Sequence, residues 1–397
     1  MAGTSPEKCF NMTGTRSGVR IAVVGGGPAG LYFSYLWKKR HPETEIQVFE
    51  QNPAGVTWGF GVVFSDRALE FLRADDPDTV DFILPRMEHW RDLTLDLKGE
   101  RIEIDGVRFS AIGRLELLQL LQRQALAAGV VMMFGTPVRS LDKLGEADLI
   151  VGADGLNSLV RNSFEREFKT SLRYGDNKFI WYATTRRFGT LSQSFVETDR
   201  GTFTAHHYRY MPDRSTFLIE CDQATWRRYG FATMTADESQ AVCEQVFAAT
   251  LNGHALISNK SIWRNFPWIW NDCWHVRNMV LVGDALHTAH FSIGSGTRLA
   301  MEDVVALIKA LEAENDIPTA LARYEATRRP IVETLVAAAK RSAEWYEHFP
   351  AHLRLEPLDF AYSYITRAGR IDDARLREMS PAFMARYEAA GASRAEP

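Results

Sequence analysis

Arg20-Ile21-Ala22-Val23-Val24 is a short, mostly apolar run that stops at Gly25-Gly26-Gly27-Pro28-Ala29-Gly30. Residues 31–40 then suit a helix, His41-Pro42 breaks it, and Glu45-Ile46-Gln47-Val48-Phe49-Glu50 alternates as a second strand. Strand, glycine turn, helix and strand within about 30 residues predict a βαβ unit. Residues 52–66 carry Trp58-Gly59-Phe60-Gly61, which reads as backbone lying close to something flat or as a plain glycine loop. A helical segment is expected near 66–73. From 90 to 109 polar and apolar residues alternate around Lys98-Gly99-Glu100, a hairpin pattern. Ile112-Gly113-Arg114 opens a helix over 115–128, residues 130–134 read as a buried strand, and 148–152 form another strand that runs into Ala153-Asp154-Gly155.

Between about 173 and 221 the pattern becomes all-β, with strands expected at 179–184, 194–197, 202–210 and 216–221. Pro212-Asp213-Arg214 is a turn sequence joining the last two. Helix returns at 242–251, a strand at 278–282 ends in Gly283-Asp284, and the remainder is helical, with a tail of small and charged residues beyond about Tyr387. The expected organisation is a flexible leader at 1–18 and a discontinuous nucleotide-binding domain from 19–85, 108–172 and 270–345. Residues 86–107 and 173–269 would form a β-sheet substrate domain, and 346–397 a helical segment and tail.

At 397 residues the chain has room for two or three domains of about 150 residues. Its 46 Lys and Arg against 50 Asp and Glu leave a net charge of −4, so no chain-wide basic field advertises nucleic acid or an anionic membrane. No apolar run approaches the roughly 18 residues that cross a bilayer, and the first residues lack a signal-peptide pattern. Cys9, Cys221, Cys243 and Cys273 are scattered and form no Cys-x-x-Cys pair, which argues against a disulfide scaffold or a thiolate metal site. A soluble cytoplasmic protein is expected.

Gly25-x-Gly27-x-x-Gly30 follows a strand and opens a helix, the context in which that spacing carries meaning. The first glycine permits the tight turn, the second lets a pyrophosphate approach the backbone, and the third lets helix and strand pack closely. Pro28 and Ala29 belong to the same turn, and the helix N-terminus carries about half a positive charge toward the phosphates. Glu50, followed by Gln51, lies about 20 residues past Gly30, placed to accept hydrogen bonds from both hydroxyls of an adenosine ribose. A dinucleotide is expected, with FAD and NAD both open on this motif alone. Two later turns decide between them: Asp154-Gly155, and Gly283-Asp284-Ala285-Leu286-His287 leading to Ile293-Gly294-Ser295-Gly296. An acid ending the strand before it can hydrogen-bond a ribityl chain. Glycines at a helix start let backbone N–H groups approach a flavin's electron-rich edge.

In this order the three motifs resemble the single-component FAD-dependent aromatic hydroxylases of the para-hydroxybenzoate hydroxylase type. Within them the chain is similar to the salicylyl-CoA 5-hydroxylases and the 2-aminobenzoyl-CoA monooxygenases. The resemblance covers about residues 19–385 and rests locally on Trp58-Gly59-Phe60-Gly61-Val62-Val63-Phe64-Ser65-Asp66 and on 290–303, which begin His290-Phe291-Ser292. Tyr174-Gly175 with Asn177-Lys178-Phe179-Ile180-Trp181-Tyr182, and Trp263-Arg264-Asn265-Phe266, are similar to the tryptophan-type hydroxylase of violacein biosynthesis. The implied fold is α/β: a Rossmann-like FAD-binding domain with an inserted β-sheet substrate domain and C-terminal helices. The resemblance implies Gly25, Gly27 and Gly30 at the FAD pyrophosphate, Glu50 at the ribose and Arg114 reaching the cofactor. It implies Asp284 on the ribityl or pyrophosphate portion, with Gly294 and Gly296 beside the isoalloxazine. Asp154 belongs to the motif associated with FAD and nicotinamide use. The chain departs from the commoner pattern where prolines follow Gly-Asp, having His290-Phe291 instead.

The implied reaction takes electrons from NAD(P)H and an oxygen atom from O2 through a flavin hydroperoxide, with no metal. Ionising a phenol pushes electron density to the carbon para to it, which in salicylyl-CoA is the 5-position, so gentisyl-CoA is the implied product. A group that accepts or relays the phenol proton is expected, and histidine has a suitable pKa. The candidates are His206, which shares a strand face with Tyr208, and His290 beside the flavin loop. His287 is expected to support its turn. Tyr182, Tyr208 and Phe291 are expected to line the substrate pocket. A CoA tail calls for arginines at the pocket mouth, and Arg187, Arg209, Arg214, Arg227 and Arg228 are available. An indole, tryptophan-derived or other natural-product ring is the alternative substrate, and a monomer or homodimer is expected.

Overall fold

The computed structural model describes residues 18–395, so the expected leader lies outside the described residues but for Gly18. Arg20–Val24 is buried at every position after Arg20. A strand apolar on both faces belongs in the middle of a parallel sheet covered by helices. It pairs in parallel with Glu45–Phe49 on one side and Leu149–Gly152 on the other. Val131–Met133 and Met279–Leu281 extend the sheet in parallel, and His275–Val276 closes one edge antiparallel. The helices Pro28–Arg40, Arg114–Ala127 and Gly296–Ala313 pack with this sheet into one core. Among the described residues no helix is long and apolar enough to cross a membrane.

The second, eight-stranded sheet contains Thr170–Thr184, Leu191–Thr198, Gly201–Met211 and Arg214–Cys221. The hairpin Leu93–Leu97 and Glu100–Ile104 joins it through parallel pairing of Leu93–Leu97 with Leu191–Thr198. Leu256–Ile257 and Arg264–Asn271 pair with Thr170–Thr184. One face packs Ile180, Tyr182, Phe203 and Phe217 against residues of Gln223–Tyr229 and Ala236–Val246. The other face sets Phe195 and Tyr208 into a core shared with Trp345, Tyr346 and Phe360 from the C-terminal helices.

Several expectations change. The glycine-rich stretch is in part a strand: Gly61–Ser65 pairs antiparallel with Phe109–Gly113, which also pairs with Glu88–Trp90. A Cβ on Gly59 would lie 2.7 Å from the Trp181 ring, and one on Gly61 2.5 Å from Tyr210 Cβ, so the flat neighbour of Gly59 is one of the protein's own rings. The helix expected at 242–251 starts earlier, at Ala236, behind a capping box of Thr235 and Glu238, and a short helix Ala248–Leu251 follows. Ile317–His352 is one continuous helix across the division expected at 345/346, and the strands Thr170–Thr184 and Arg264–Asn271 cross those expected at 172/173 and 269/270. Beyond Tyr387, in place of the expected tail, the helix Pro381–Ala395 continues. Its first turn is capped from far away: Asp105 accepts the N–H groups of Ala382 (3.2 Å) and Phe383 (2.8 Å).

Asp303, fully buried, ties the turn at Gly283 to the C-terminal helices. It accepts from His287 Nε2 at 2.9 Å, Arg328 Nε at 2.9 Å and Gly283 N at 3.2 Å. Burial alone would raise its carboxyl; His287 and Arg328 outweigh burial and hold it below the usual carboxylate range. Asp303→Asn leaves Arg328 buried without its full countercharge, an expected loss of about 3–5 kcal/mol by urea unfolding. Because the folded pKa is depressed, the deficit should be complete above about pH 4 and shrink as pH falls further. An unchanged urea midpoint at pH 7 would show that Asp303 is not the tie.

Candidate active site

A cavity of about 1260 Å³ runs between the two sheets' loops, larger than the roughly 300–1,000 Å³ of a single small-molecule site. At one end lies the turn after the first strand. Gly25 has φ +104°, and a Cβ there would sit 2.3 Å from the carbonyl oxygen of Ala153. A Cβ on Gly30 would lie 2.0 Å from the carbonyl oxygen of Gly25. Gly30 therefore packs the turn and does not line the cavity, whereas Gly25, Gly27, Pro28 and Ala29 do. A Cβ on Gly27 would meet no protein atom, so space for a ligand lies directly over the start of the helix Pro28–Arg40.

Glu50 Oε2 accepts from Gly26 N, and Oε1 accepts from the backbone N–H and Nδ2 of Asn52, each at 2.7 Å. The carboxylate is held at the cavity wall with lone pairs to spare, and Gln51 lines the wall beside it. Asp154 Oδ2 accepts the N–H groups of Leu159 (2.6 Å) and Val160 (3.3 Å), while Oδ1 is buried with no partner. Arg114 and Asp284 both face the cavity. Burial lowers the Arg114 guanidinium and raises the Asp284 carboxyl, and each group opposes the other's shift. Gly294, Ser295, Gly296 and Thr297 form the wall where the helix Gly296–Ala313 begins, and a Cβ on Gly296 would meet nothing. Two helix starts, a ribose-height carboxylate, an orphaned acid oxygen and an arginine–acid pair fit FAD: diphosphate, ribityl chain and flat ring.

Elsewhere the lining turns aromatic and apolar, with Phe179, Trp181, Leu191, Tyr208, Leu218, Phe291 and His206. Gln193 lies opposite His206 in register and contacts His206 Nδ1 through Nε2 at 2.7 Å. Tyr346 donates its hydroxyl to Gln193 Oε1 at 3.0 Å, so the amide nitrogen donates to Nδ1 and the ring proton sits on Nε2. That Nε2 has no hydrogen-bond partner; Glu220 Oε2, also unpartnered, is 3.7 Å away. Burial, helped by Arg367, pushes His206 down to about 3. Glu220, whose carboxyl burial raises, accepts from Asn177 Nδ2 at 2.8 Å.

His290 does not line the cavity. Its ring is buried against Phe291 (4.0 Å between centroids), Phe266 (4.8 Å) and Trp268 (5.9 Å), with Nδ1 on Ser292 Oγ at 2.8 Å. Burial lowers it to about 4, with Glu220 opposing. Tyr182 is likewise corrected: strand alternation turns it into the helix-covered face and presents Trp181 to the cavity. Tyr208 does line it and donates its hydroxyl to Gly61 O at 2.9 Å. None of Arg187, Arg209, Arg214, Arg227 and Arg228 lines the cavity; Arg209 is bound to Glu88 at 2.6 Å. Gln193 and Glu220 stand beside His206 without having been expected there. A glutamate inside the apolar run Phe217-Leu218-Ile219-Glu220-Cys221 was the available signal for the latter.

The fold and the cleft define a dinucleotide-binding protein whose cofactor space opens into an aromatic chamber. Residues 143–339 match the FAD binding domain family. The salicyloyl-CoA 5-hydroxylase of Streptomyces sp is 40% identical over 88% of this chain and 70% of that protein. The 3-hydroxy-4-methyl-anthranilyl-(aryl-carrier protein) 5-monooxygenase of Streptosporangium sibiricum is 38% identical over 84% of this chain and 90% of its own length. A solved 2-methyl-3-hydroxypyridine-5-carboxylic acid oxygenase superposes with a TM-score of 0.69 over 90% of this chain and 95% of its own, at 19% identity, a likeness of fold. The chain belongs to the FAD-dependent aromatic monooxygenases, and FAD is its cofactor.

Gly30→Ala forces the turn apart and should give protein purified with well under one FAD per chain, read from the ratio of flavin to protein absorbance. Full flavin loading would refute the packing role. His206 and His290 fold neutral, while unfolded histidine titrates near 6.5. Between about pH 6.5 and 4 the unfolded chain takes up protons that the folded one refuses. Stability should therefore fall on acidification by up to about 1.4 kcal/mol per pH unit for each ring. Glu220, with its raised carboxyl, works in the opposite sense. Urea midpoints of a His206→Gln/His290→Gln variant should vary less steeply over that window than those of the parent.

Proposed function

We propose that this chain hydroxylates an aromatic acyl thioester, salicylyl-CoA at the 5-position to gentisyl-CoA, consuming NAD(P)H, a proton and O2 and releasing NAD(P)+ and water. The observation that carries this reading is the single cavity in which the glycine turn and flavin-edge glycines share walls with an aromatic chamber containing one neutral histidine. The 40% identity with a salicyloyl-CoA 5-hydroxylase supports the choice of thioester. In this reading Gly25, Gly27, Pro28 and Ala29 hold the FAD diphosphate, and Glu50 with Gln51 holds the adenosine ribose. Arg114, Asp154 and Asp284 meet the middle of the cofactor, and Gly294 and Gly296 offer backbone N–H groups to its ring. When bound, FAD supplies the redox chemistry, accepting hydride from the nicotinamide and delivering one oxygen atom of O2 to the substrate ring.

The chain's own residues do the rest. Phe179, Trp181 and Phe291 exclude water and flank the ring. In this reading the phenol proton passes to the His206–Glu220 pair at the chamber wall, whose Nε2 and Oε2 are buried, unpartnered and 3.7 Å apart. Gln193 and Tyr346 fix the orientation of the His206 ring. His206→Asn should lower kcat/KM about a hundredfold with FAD content unchanged.

Purified FAD-loaded protein given NAD(P)H with salicylyl-CoA, free salicylate or tryptophan provides the test. Salicylyl-CoA alone should stimulate NAD(P)H oxidation and gain one oxygen by mass spectrometry. Peroxide as the only product, or oxygen gained by tryptophan instead, would overturn the thioester reading.

A further inference from the structure

The rim of the cavity carries a group of arginines that the chain itself does not neutralise. Arg67 lies in the first turn of the helix Asp66–Asp75, Arg370 in the connection after the helix Pro357–Thr366, and Arg375 in the helix Asp373–Met379 that follows. All three are exposed yet line the cavity, which places them at its opening. Among the described residues none of their guanidinium groups makes an ion pair or hydrogen bond. Arg298 lines the same wall from inside, and its guanidinium carbon and that of Arg67 each stand 5.6 Å from the centre of the Phe71 ring. Arg67 is held there by a ring and not by an acid, whereas Arg298 is paired with Glu302.

The cluster is close enough to feel itself. The partial enclosure of Arg370 at the rim lowers its guanidinium, and Arg298, Arg375 and Arg67 lower it further, with Glu302 opposing. Nearby acids are engaged elsewhere: Glu302 is shared by Arg298 (2.6 Å) and Arg328 (3.0 Å), and Asp372 caps its helix on Arg375 N (2.9 Å). Asp66 is the acid left on the rim. Like charges gathered at an opening raise the free energy of the empty protein, and an anion with several charges recovers it. Beside the arginines Val107, Ile371 and Met379 give the wall an apolar stretch.

Resting on the thioester reading above, we infer that Arg67, Arg370 and Arg375 bind the phosphates of coenzyme A, with the pantetheine arm along the apolar stretch and the aromatic acyl group in the chamber of His206. Guanidinium forks suit phosphate, and three of them suit a diphosphate with a further ribose phosphate better than the lone phosphodiester of a carrier-protein arm. The diphosphate of NAD(P)H is the other nucleotide source of the same chemistry.

The experiment uses the FAD-loaded enzyme and its Arg370→Ala/Arg375→Ala and Arg67→Ala variants. Calorimetry with free CoA, which has no aromatic group, reads the rim independently of hydroxylation. Binding should weaken about tenfold or more in the double variant and with added salt. The KM for salicylyl-CoA should rise in step, while turnover of the phosphate-free N-acetylcysteamine thioester stays at the parent level. Unaltered CoA affinity in both variants overturns the inference, and so does a rise confined to the KM for NAD(P)H or for a carrier-protein thioester. Arginine-dependent CoA binding without any hydroxylation of salicylyl-CoA would leave the rim standing and sink the proposed substrate.

Discussion

No side-chain carbon fits at two positions of the turn at 25–30, and most of the molecule is arranged around that fact. Gly30 presses on the carbonyl of Gly25, and Gly25 presses on the carbonyl of Ala153. These contacts bring the first strand, the first helix and the turn after Leu149–Gly152 to within backbone contact. Glu50 and Asp154 then necessarily arrive beside the helix start, because each follows a strand paired with Arg20–Val24. The same closeness leaves Gly27 facing open space instead of protein. A cofactor's diphosphate therefore meets backbone, which cannot be varied by substitution, before it meets any side chain.

Two acids near one another in the fold show how partners decide between holding the structure and meeting a ligand. Asp303 is buried and is kept ionised by hydrogen bonds from His287, Arg328 and Gly283. Asp284 has Arg114 and His287 for company but opens on the cavity, and its carboxyl is raised. The first is satisfied by the protein; the second waits for something in the cleft. His206 at the chamber wall and Glu220 behind it repeat the pattern, with one buried atom of each left unpartnered 3.7 Å apart. Unsatisfied buried polar atoms are costly, and Asp154 Oδ1, His206 Nε2 and Glu220 Oε2 are among those this structure carries.

Much of this is legible in the chain. Alternation and turn residues specify the βαβ unit, the hairpin around Gly99 and the run of strands from 179 to 221, whereas the pairing of Thr170–Thr184 with Arg214–Cys221 and not with Leu191–Thr198 is not written in them. A two-residue period places His206 and Tyr208 on one face, and both line the cavity. The same period, applied to 179–184, leaves two faces and no local sign of which is inward, so Tyr182 is expected in the cavity and Trp181 occupies it. The end of the helix Pro381–Ala395, beyond Tyr387, reads as tail along the sequence because its residues are small and charged and carry no apolar period.

What the sequence by itself determined is local: glycine where a Cβ would collide, alternation where a strand is half-buried, an acid at the end of an apolar strand. Those features depend on neighbours a few residues away, so they can be read along the chain. Tertiary structure alone decided which arginines reach the cavity, that Gln193 orients His206, and that Glu220 stands behind it. Each depends on cross-strand register or on helices from the far C-terminus. Register and helix docking are set by the sum of many buried contacts, and no single stretch of sequence records that sum.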